Sequence, residues 1–426
     1  MTSAVTGLVI LLVCVVLFLT EWLPNPVVAC LGCLLMVICE VCTFEQAFSG
    51  FSNSIVLLMA GAMVVGTAMF STGAAQLIGR RVIRWSRGSV RLFLLVGSVV
   101  TGVLAMFLAN TAVIAAFFPV IDSVCRTDPR MKRKDLCLPI ACAAMYGGAC
   151  TLIGCTPQLT ANGIMAEMTG TEMGMWELTA PGLCLLAVYL VWLQLFGLRR
   201  GQRIWGDRPE ETMELDEAKV ASVMDERCDK KKLIPMFLIV VAMILSYATG
   251  FLSTALTAMC AAVLCFIFGC CDMKTVLREM NWECIVFLGG CLGLAAGFTA
   301  SGAGELVADA VSILLGDTAS PWLIYAVLVL LALLISQFIT NSTAIVVVLP
   351  IALSLCGAYG FQPMPFCLGI TFAASVACST PLAAAQITMT QVAGYRFFDY
   401  VRYTWPLTVV SYIGILVFVP LFFPLV

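Results

Sequence analysis

Two polar pairs interrupt long apolar runs of this chain, and they fall at corresponding places in its two halves. The first pair is Asn110-Thr111 and the second is Asn341-Ser342. Amide and hydroxyl oxygens at membrane depth suit a hard cation, and such polar groups mark a site more often than a lipid contact. A single asparagine is equally well explained by a hydrogen bond to a neighbouring helix. Two asparagines in matching positions favour a binding site.

The two pairs belong to an internal repeat. Aligned without gaps, ANTAVIAAFFPV (109–120) matches TNSTAIVVVLPI (340–351), and Thr151 pairs with Thr380 at nearly the same offset. Each half is predicted to hold five full crossings and one hairpin, and an odd number of crossings inverts the second half. Inverted repeats are typical of secondary transporters, whose sites lie near the bilayer midplane where the repeats meet.

The composition predicts an all-α polytopic membrane protein. Of the 426 residues, 61% are hydrophobic and 11% are charged, with a mean hydropathy of +1.03 and a net charge of −2. Soluble domains carry about a quarter charged residues. The chain has 21 cysteines and no histidine, and it shows no nucleophile–base pair or metal-ligand cluster. We therefore expect no enzyme activity, no cofactor and no nucleic-acid partner, and the cysteines read as small apolar side chains.

The apolar runs divide into ten predicted spans and two longer segments. The spans lie near 5–24, 26–44, 54–72, 136–165, 177–198, 233–249, 251–270, 284–301, 365–391 and 404–425. All 23 Lys and Arg residues fall into five groups, at 80–91, 126–134, 199–232, 274–278 and 396–402. The positive-inside rule places these groups in the cytoplasm.

The long run at 92–121 has a basic group at both ends, so it cannot cross the membrane once. A single helix of that length would be about 45 Å long, and two full spans would need roughly 40 residues. A re-entrant hairpin with Asn110-Thr111 at its tip satisfies both limits. Non-helical backbone at that depth requires protein or water around it.

These observations predict three parts of the chain. Residues 1–198 form the first inverted repeat, with a re-entrant hairpin at 92–124. Residues 199–232 form a polar cytoplasmic linker, read as a solvated connector. Residues 233–426 form the second repeat, with its hairpin at 320–356.

Several segments resemble the divalent-anion:sodium symporter family, within the ion transporter superfamily. The tips Ala109-Asn110-Thr111 and Thr340-Asn341-Ser342 are similar to the family's two Ser-Asn-Thr motifs. GGACTLIGCTPQ (147–158) is similar to its Gly-Thr-Pro-Pro-Asn region. ASVACSTPLAAAQ and GYRFFDYVRYTWPL resemble the corresponding segments of the second half. The resemblance covers roughly the following ranges: 50–185 and 283–410.

The resemblance implies Na+-coupled uptake of a dicarboxylate, tricarboxylate or sulfate-like anion. It implies an elevator motion of a transport domain against a dimeric scaffold, in a multi-pass protein of the bacterial inner membrane. One Na+ would be held by Asn110 and the carbonyl of Gly154. The second would be held by Asn341 and the carbonyl of Ala383.

The anion would contact residues of both tips. By the same resemblance these are Asn110, Thr111, Asn341 and Ser342, and Ala384 stands where the family has a substrate-contacting threonine. Ala109 also replaces a family serine, and Gly-Cys-Thr-Pro-Gln replaces Gly-Thr-Pro-Pro-Asn. These changes leave fewer hydroxyl donors for a carboxylate.

Two other functions fit the same fold. One is a proton-coupled or pump-associated anion exporter of the arsenite type. Proton coupling usually relies on an intramembrane carboxylate, and neither tip carries one. The other is a membrane sensor that binds the ligand without transporting it.

Overall fold

All the regular secondary structure in the part of the chain that the structure describes is helical, and that part contains no β-strand. The structure is a computed structural model. It describes residues 2–20, 22–72, 89–127, 131–206, 230–304, 306, 320–382 and 384–426. The predicted all-α class is confirmed.

The first half of the chain forms ten α-helices in this part. They are α1 Thr2–Thr20, α2 Asn25–Ile38, α3 Phe44–Phe48, α4 Ser54–Ser71, α5 Val90–Ala105, α6 Asn110–Thr127, α7 Arg133–Gly148, α8 Thr156–Thr169, α9 Thr179–Trp192 and α10 Leu198–Trp205. A 3-10 turn at Ser49–Ser52 leads into α4, and a π turn at Leu193–Gly197 joins α9 to α10.

The second half repeats this order of elements. Its helices are α11 Lys230–Thr249, α12 Thr254–Ile267, α13 Met273–Glu279, α14 Trp282–Ser301, α15 Pro321–Ile335, α16 Asn341–Tyr359, α17 Pro363–Ser375, α18 Ala385–Thr388 and α19 Phe397–Phe422. A 3-10 turn at Met389–Ala393 follows α18. The short helices α3 and α13 occupy matching places, as do α4 and α14, the pairs α5–α6 and α15–α16, and α7 and α17.

Each of the two long apolar runs forms a pair of helices joined by a short connection. Four residues separate α5 from α6, and five separate α15 from α16. The connections end one residue before each asparagine, so Asn110 and Asn341 begin α6 and α16 rather than forming the turn itself. The helix pairs extend over 90–127 and 321–359, slightly beyond the predicted hairpins at 92–124 and 320–356. Their re-entrant course from one side of the membrane stays a prediction.

The predicted spans at 136–165 and 365–391 are not continuous helices, because each is broken near its middle, and their crossing of the membrane stays a prediction. The first divides into α7 and α8 around residues 149–155, and the second divides into α17 and α18 around residues 376–384. Gly147 and Gly148 end α7, and Pro157 lies in the first turn of α8. The 16 residues of α7 and the 14 of α8 are about 24 and 21 Å long, short of a ~30 Å hydrocarbon core.

Seven helical segments of the described residues are long and apolar enough to cross a membrane. These segments are Ser3–Thr20, Phe44–Met69, Thr179–Trp205, Lys232–Thr249, Trp282–Ser301, Asn341–Tyr359 and Phe397–Phe422. The predicted spans at 26–44 and 251–270 are shorter helices, α2 and α12, of 14 residues each. The helix α2 stops early because Glu40 adopts a left-handed conformation (φ 56°), and Thr43 then opens α3 with a capping box.

The helices pack in two bundles, identified by their principal contacts. The first bundle contains α1–α4 and α11–α14, and the second contains α5–α7, α9, α15–α17 and α19. Small residues allow close approach in the first bundle: a Cβ atom at Gly293 would overlap the Ala47 carbonyl, and one at Gly289 would lie 2.8 Å from the Phe51 ring. The helix α8 contacts both bundles, through α4 and α14 on one side and α16 and α17 on the other.

The start of the predicted linker is docked rather than solvated. Residues 198–205 form α10, and Trp205 is only 2% exposed. Its indole Nε1 donates to Asp135 Oδ1 at 2.8 Å, and its ring lies 5.1 Å from both Tyr395 and Tyr403. Residues 207–229 of the linker lie outside the described part of the chain.

The predicted orientation can be tested with a native cysteine. Cys39 is exposed in the turn after α2, and only α4 separates this turn from the basic group at 80–91. We therefore expect a membrane-impermeant maleimide to label the wild-type protein in intact cells, and Cys39→Ser to lose this label.

A second position supplies the matched control. Gln202 is exposed on α10, on the side predicted to be cytoplasmic. In a Cys39→Ser background, Gln202→Cys should be labelled only after the cells are permeabilised. Labelling of this variant in intact cells would contradict the predicted orientation. It would also contradict the predicted side of the membrane from which each hairpin enters.

Candidate functional site

The first hairpin tip carries a buried amide oxygen that has no hydrogen-bond partner among the described residues. Asn110 begins α6 and is 6% exposed. Its Nδ2 donates to Cys155 Sγ at 3.0 Å, whereas its Oδ1 has no hydrogen-bond donor within reach among the described residues. A buried carbonyl oxygen without a partner costs about 1–3 kcal/mol. An oxygen of this kind is suited to a bound ion or water.

The second tip reproduces this feature. Asn341 begins α16, is 8% exposed, and its Oδ1 also lacks a donor among the described residues. Thr340 caps the helix, since its hydroxyl accepts from the Thr343 backbone N–H at 3.4 Å. Asn25 of α2 donates to the same hydroxyl at 3.4 Å. The second tip is thereby joined to the first bundle.

Two glycines bring the first tip against the break that follows α7. A Cβ atom at Gly148 would overlap Asn110 Oδ1 and would lie 2.7 Å from Cys155 Sγ. A Cβ atom at Gly154 would overlap the Gly148 carbonyl. The structure therefore brings Asn110 and Gly154 against the same residue, Gly148, in one small cluster.

Equivalent hydrogen bonds fix the two breaks to their hairpins. Thr151 Oγ1 donates to the carbonyl of Met106, and Thr380 Oγ1 donates to the carbonyl of Gln337. The second break has an additional bond, because Gln337 Oε1 accepts from the Ser379 N–H at 2.9 Å. The aligned threonines of the repeat thus perform the same structural task.

The segments that follow the breaks cross to the opposite half. The helix α8 of the first half packs against α16 and α17, and α18 of the second half packs against α6 and α7. The candidate residues of both repeats are therefore held by elements of both repeats. This crossed arrangement places the cluster where the two halves meet.

The remaining predicted residues lie in or beside these elements. Thr111 is half-buried in the first turn of α6, and Ser342 is buried in the first turn of α16. Ala384 is 6% exposed, and its carbonyl accepts from the backbone N–H groups of Ile387 and Thr388 at 2.9 and 3.0 Å. Ala383, predicted to offer a carbonyl to the second Na+, lies outside the described residues.

The sequence interpretation did not assign roles to three residues of the first cluster. Cys155 bonds the Asn110 amide, Gly148 lies against both Asn110 and Gly154, and Gln158 is fully buried in the first turn of α8. Their only sequence signal was their position inside GGACTLIGCTPQ. A plain cysteine or glutamine there gives no indication of contact with a residue 45 positions away.

Charged side chains are absent from the described parts of both tips. The buried charged residues of the described chain lie elsewhere: Asp122, Lys134, Asp135 and Asp399. Asp122 pairs with Arg133 at the far end of α6. No group of three or more His, Cys, Asp or Glu residues with metal-binding geometry occurs in the described regions. The groups available to bind a monovalent cation are therefore neutral oxygens. The groups available to bind an anion are the backbone N–H groups at the N-termini of α6 and α16.

Comparison with known sequences identifies a family. The sequence model of the family described as citrate transporter (CitMHS) matches residues 15–331 and 316–426. The sodium-dependent dicarboxylate transporter SdcS of Staphylococcus aureus is 23% identical over 421 residues, which cover 89% of this chain and 80% of that protein. An uncharacterised transporter of Synechocystis is 28% identical over 188 residues, which are 44% of this chain. That match spans 31% of the length of the Synechocystis protein.

A solved structure shares the fold. MtrF of Neisseria gonorrhoeae, described with a class of antimetabolite efflux pumps, superposes with a TM-score of 0.62. The match covers 92% of this chain and 85% of MtrF at 12% sequence identity. At this identity the likeness concerns the fold alone.

Proposed function

This chain belongs to the citrate transporter family, and from that premise we propose that it couples Na+ to the uptake of a small di- or tricarboxylate or a sulfate-like anion. It is a multi-pass membrane transporter and not an enzyme, because its family and its relatives are transporters. The substrate, the coupling ion and the mechanism are parts of the proposal. The name of the SdcS relative supports both Na+ and a dicarboxylate.

One observation carries the proposal. Asn110 and Asn341 occupy corresponding places in the repeat, each begins the second helix of a hairpin, and each buries an amide oxygen without a donor among the described residues. A purely structural asparagine would satisfy both ends of its amide. Two such oxygens, related by the repeat, are suited to two cations of the same kind.

The anion would be held without a lysine or arginine. The N-termini of α6 and α16 present backbone N–H groups and a partial positive charge. The hydroxyls of Thr111 and Ser342 add donors, and cations bound at the two asparagines would offset the remaining negative charge. Alanines at 109 and 384 provide no hydroxyl. We therefore propose that this protein relies more on its bound cations than on hydroxyl donors to hold the anion.

The two bundles support an elevator mechanism. Both candidate tips belong to the second bundle, and the helix α8 lies between that bundle and α14 of the first. A Cβ atom at Gly163 of α8 would overlap the Leu292 side chain of α14, so this contact is close. We propose that the second bundle moves past the first along this surface. The homodimer and the bacterial inner membrane remain predictions.

Proton coupling is the less favoured alternative. A proton-coupled carrier would place a titratable group beside the substrate. The buried carboxylates of the described chain instead lie at Asp122, Asp135 and Asp399, and Asp122 is paired with Arg133. The non-transporting sensor would keep both asparagines and differ only in the absence of flux.

Transport into proteoliposomes tests the proposal. We expect labelled succinate to accumulate with an inward Na+ gradient and not when K+ replaces Na+. Unlabelled citrate and sulfate added as competitors would rank the anions. The reason for the expected Na+ requirement is that the anion's charge is offset by the co-bound cations.

The controls distinguish the alternatives. Protein-free liposomes set the background, and a proton gradient without Na+, imposed first acidic inside and then acidic outside, tests proton coupling in either direction. Accumulation driven by the proton gradient alone would contradict Na+ coupling. Na+-dependent binding of succinate without accumulation would establish the sensor instead.

A further inference from the structure

Gln158 is the third buried amide of the site, and it also has an oxygen without a partner. It lies in the first turn of α8 and has no exposed surface. Its Nε2 lies 3.2 Å from Ser375 Oγ of α17 and 3.5 Å from the carbonyl of Gly148. Its Oε1 has no donor within reach in the described chain. Gln158 therefore bridges the two halves with one end of its amide only.

The orientation of this amide is fixed by its neighbours. A serine hydroxyl can donate or accept, so Ser375 tolerates either end of the amide. The Gly148 carbonyl can only accept, and an oxygen turned toward it would be repelled. The N–H end must therefore face Gly148, and Oε1 must point away from both partners.

The unpartnered oxygens of Gln158 and Asn110 belong to one cluster. Asn110 Oδ1 lies against the Cα of Gly148, and Gln158 Nε2 faces the carbonyl of the same residue. Cys155 Sγ accepts from the Asn110 amide at 3.0 Å. Around a single glycine the fold has thus buried two neutral oxygens that bond no group of the described residues.

We infer that Gln158 Oε1 is a cation ligand of the first-half site, acting together with Asn110 Oδ1. The inference rests on the proposed function and extends it to a second buried amide that contacts Gly148. Neutral oxygens without a carboxylate suit a monovalent hard cation, because Ca2+ and Mg2+ sites normally recruit carboxylates. Nε2 of the same side chain donates to Ser375 of the second half. The Gln158 side chain would therefore connect the bound cation directly to the second repeat.

Direct binding of 22Na+ to the purified protein, without any anion, tests this assignment. Gln158→Met keeps the length of the side chain and removes both polar atoms. Gln158→Glu keeps an oxygen at the end of the side chain and removes the N–H group. We expect Gln158→Met to weaken Na+ binding about 100-fold or more. Gln158→Glu keeps the ligand oxygen but places a second oxygen at the Gly148 carbonyl, so we expect a markedly smaller loss.

Ser375→Ala is the matched control, because it removes the partner of Nε2 and leaves Oε1 in place. We expect its Na+ affinity to stay within about 3-fold of the wild type, below the loss assigned to a ligand. Equal losses in the Met and Glu variants would assign Gln158 a purely structural role through its N–H group and overturn the inference. Wild-type affinity in Gln158→Met would overturn it as well.

The same assay tests this inference separately from the proposed Na+ coupling on which it rests. Na+ binding by the wild-type protein, lost in Asn110→Ala but unchanged in Gln158→Met, would keep the coupling ion and reject the ligand role of Gln158. Absence of Na+ binding by the wild-type protein would overturn both.

Discussion

Alanine at position 110 or 341 is expected to abolish Na+-coupled uptake while leaving folded protein in the membrane. Each substitution removes a buried oxygen that no described protein group satisfies. Loss of a residue that merely supports a metal ligand costs about 10- to 100-fold in affinity, so loss of a ligand should cost about 100-fold or more. Removing an unsatisfied oxygen also removes its desolvation cost. Stability should therefore not fall with transport.

The measurement is initial uptake of succinate against Na+ concentration in proteoliposomes. Thermal unfolding of each variant is recorded in parallel. Asn281→Ala is the matched control, because Asn281 also stands at a helix N-terminus but its Oδ1 accepts from the Cys284 N–H at 3.2 Å. Its loss should cost ~1 kcal/mol of stability and leave Na+ dependence unchanged. Wild-type uptake rates in both site variants would remove the basis of the proposed site.

A single methyl group at position 148 is expected to have an effect nearly as large. In Gly148→Ala the new Cβ would overlap Asn110 Oδ1 and lie 2.7 Å from Cys155 Sγ. The amide must then turn away from the cluster, and overpacking of this kind costs about 1–3 kcal/mol. We expect Na+-coupled uptake to fall at least about 10-fold, as for loss of a group that positions a ligand.

Gly66→Ala provides the comparison for this substitution. Gly66 lies inside α4, and a Cβ atom there would meet no atom of the neighbouring described residues within 4 Å. Alanine should stabilise this helix by roughly 0.5–1 kcal/mol and leave transport intact. The Na+ concentration for half-maximal uptake should rise in Gly148→Ala only. An unchanged value in that variant would show that the approach of Asn110 to Gly148 has no part in binding the ion.

Much of the architecture could be predicted from the sequence, because hydropathy and charge indicate which segments lie in lipid and which lie in water. The apolar runs predicted an all-α membrane protein. The basic residues at both ends of 92–121 predicted a helix pair, and the ungapped repeat predicted a second one. The structure contains both pairs and places Asn110 and Asn341 at equivalent helix N-termini. Their role as ligands stays a prediction.

The broken helices could not be read from hydropathy. The run at 136–165 is apolar on both sides of its break, because the unwound backbone is enclosed by protein and not by water. One of its carbonyls, that of Cys150, accepts from Thr179 Oγ1 at 2.8 Å, 29 residues further along the chain. Contacts between residues so distant in sequence leave no periodicity.

The docked start of the linker was missed for a related reason. Residues 198–205 read LRRGQRIW, a basic segment that is typical of a solvated connector. One face of α10 nevertheless buries Trp205 against Tyr395 and Tyr403. An aromatic pocket built from α7 and the far end of the chain is visible only once both halves are folded.

The position of α8 has a consequence for how the protein is made. Nine consecutive residues of this helix are buried, from Pro157 to Met165, and its main partners are α14, α16 and α17. When the ribosome completes α8, none of those partners has been synthesised. Gln158 would meanwhile lack its Ser375 partner, and the buried face of α8 would lack the helices that cover it, which leaves the first half unfinished. Assembly must therefore wait for the last third of the chain, and a gene split at the linker would need both fragments in the same membrane at the same time.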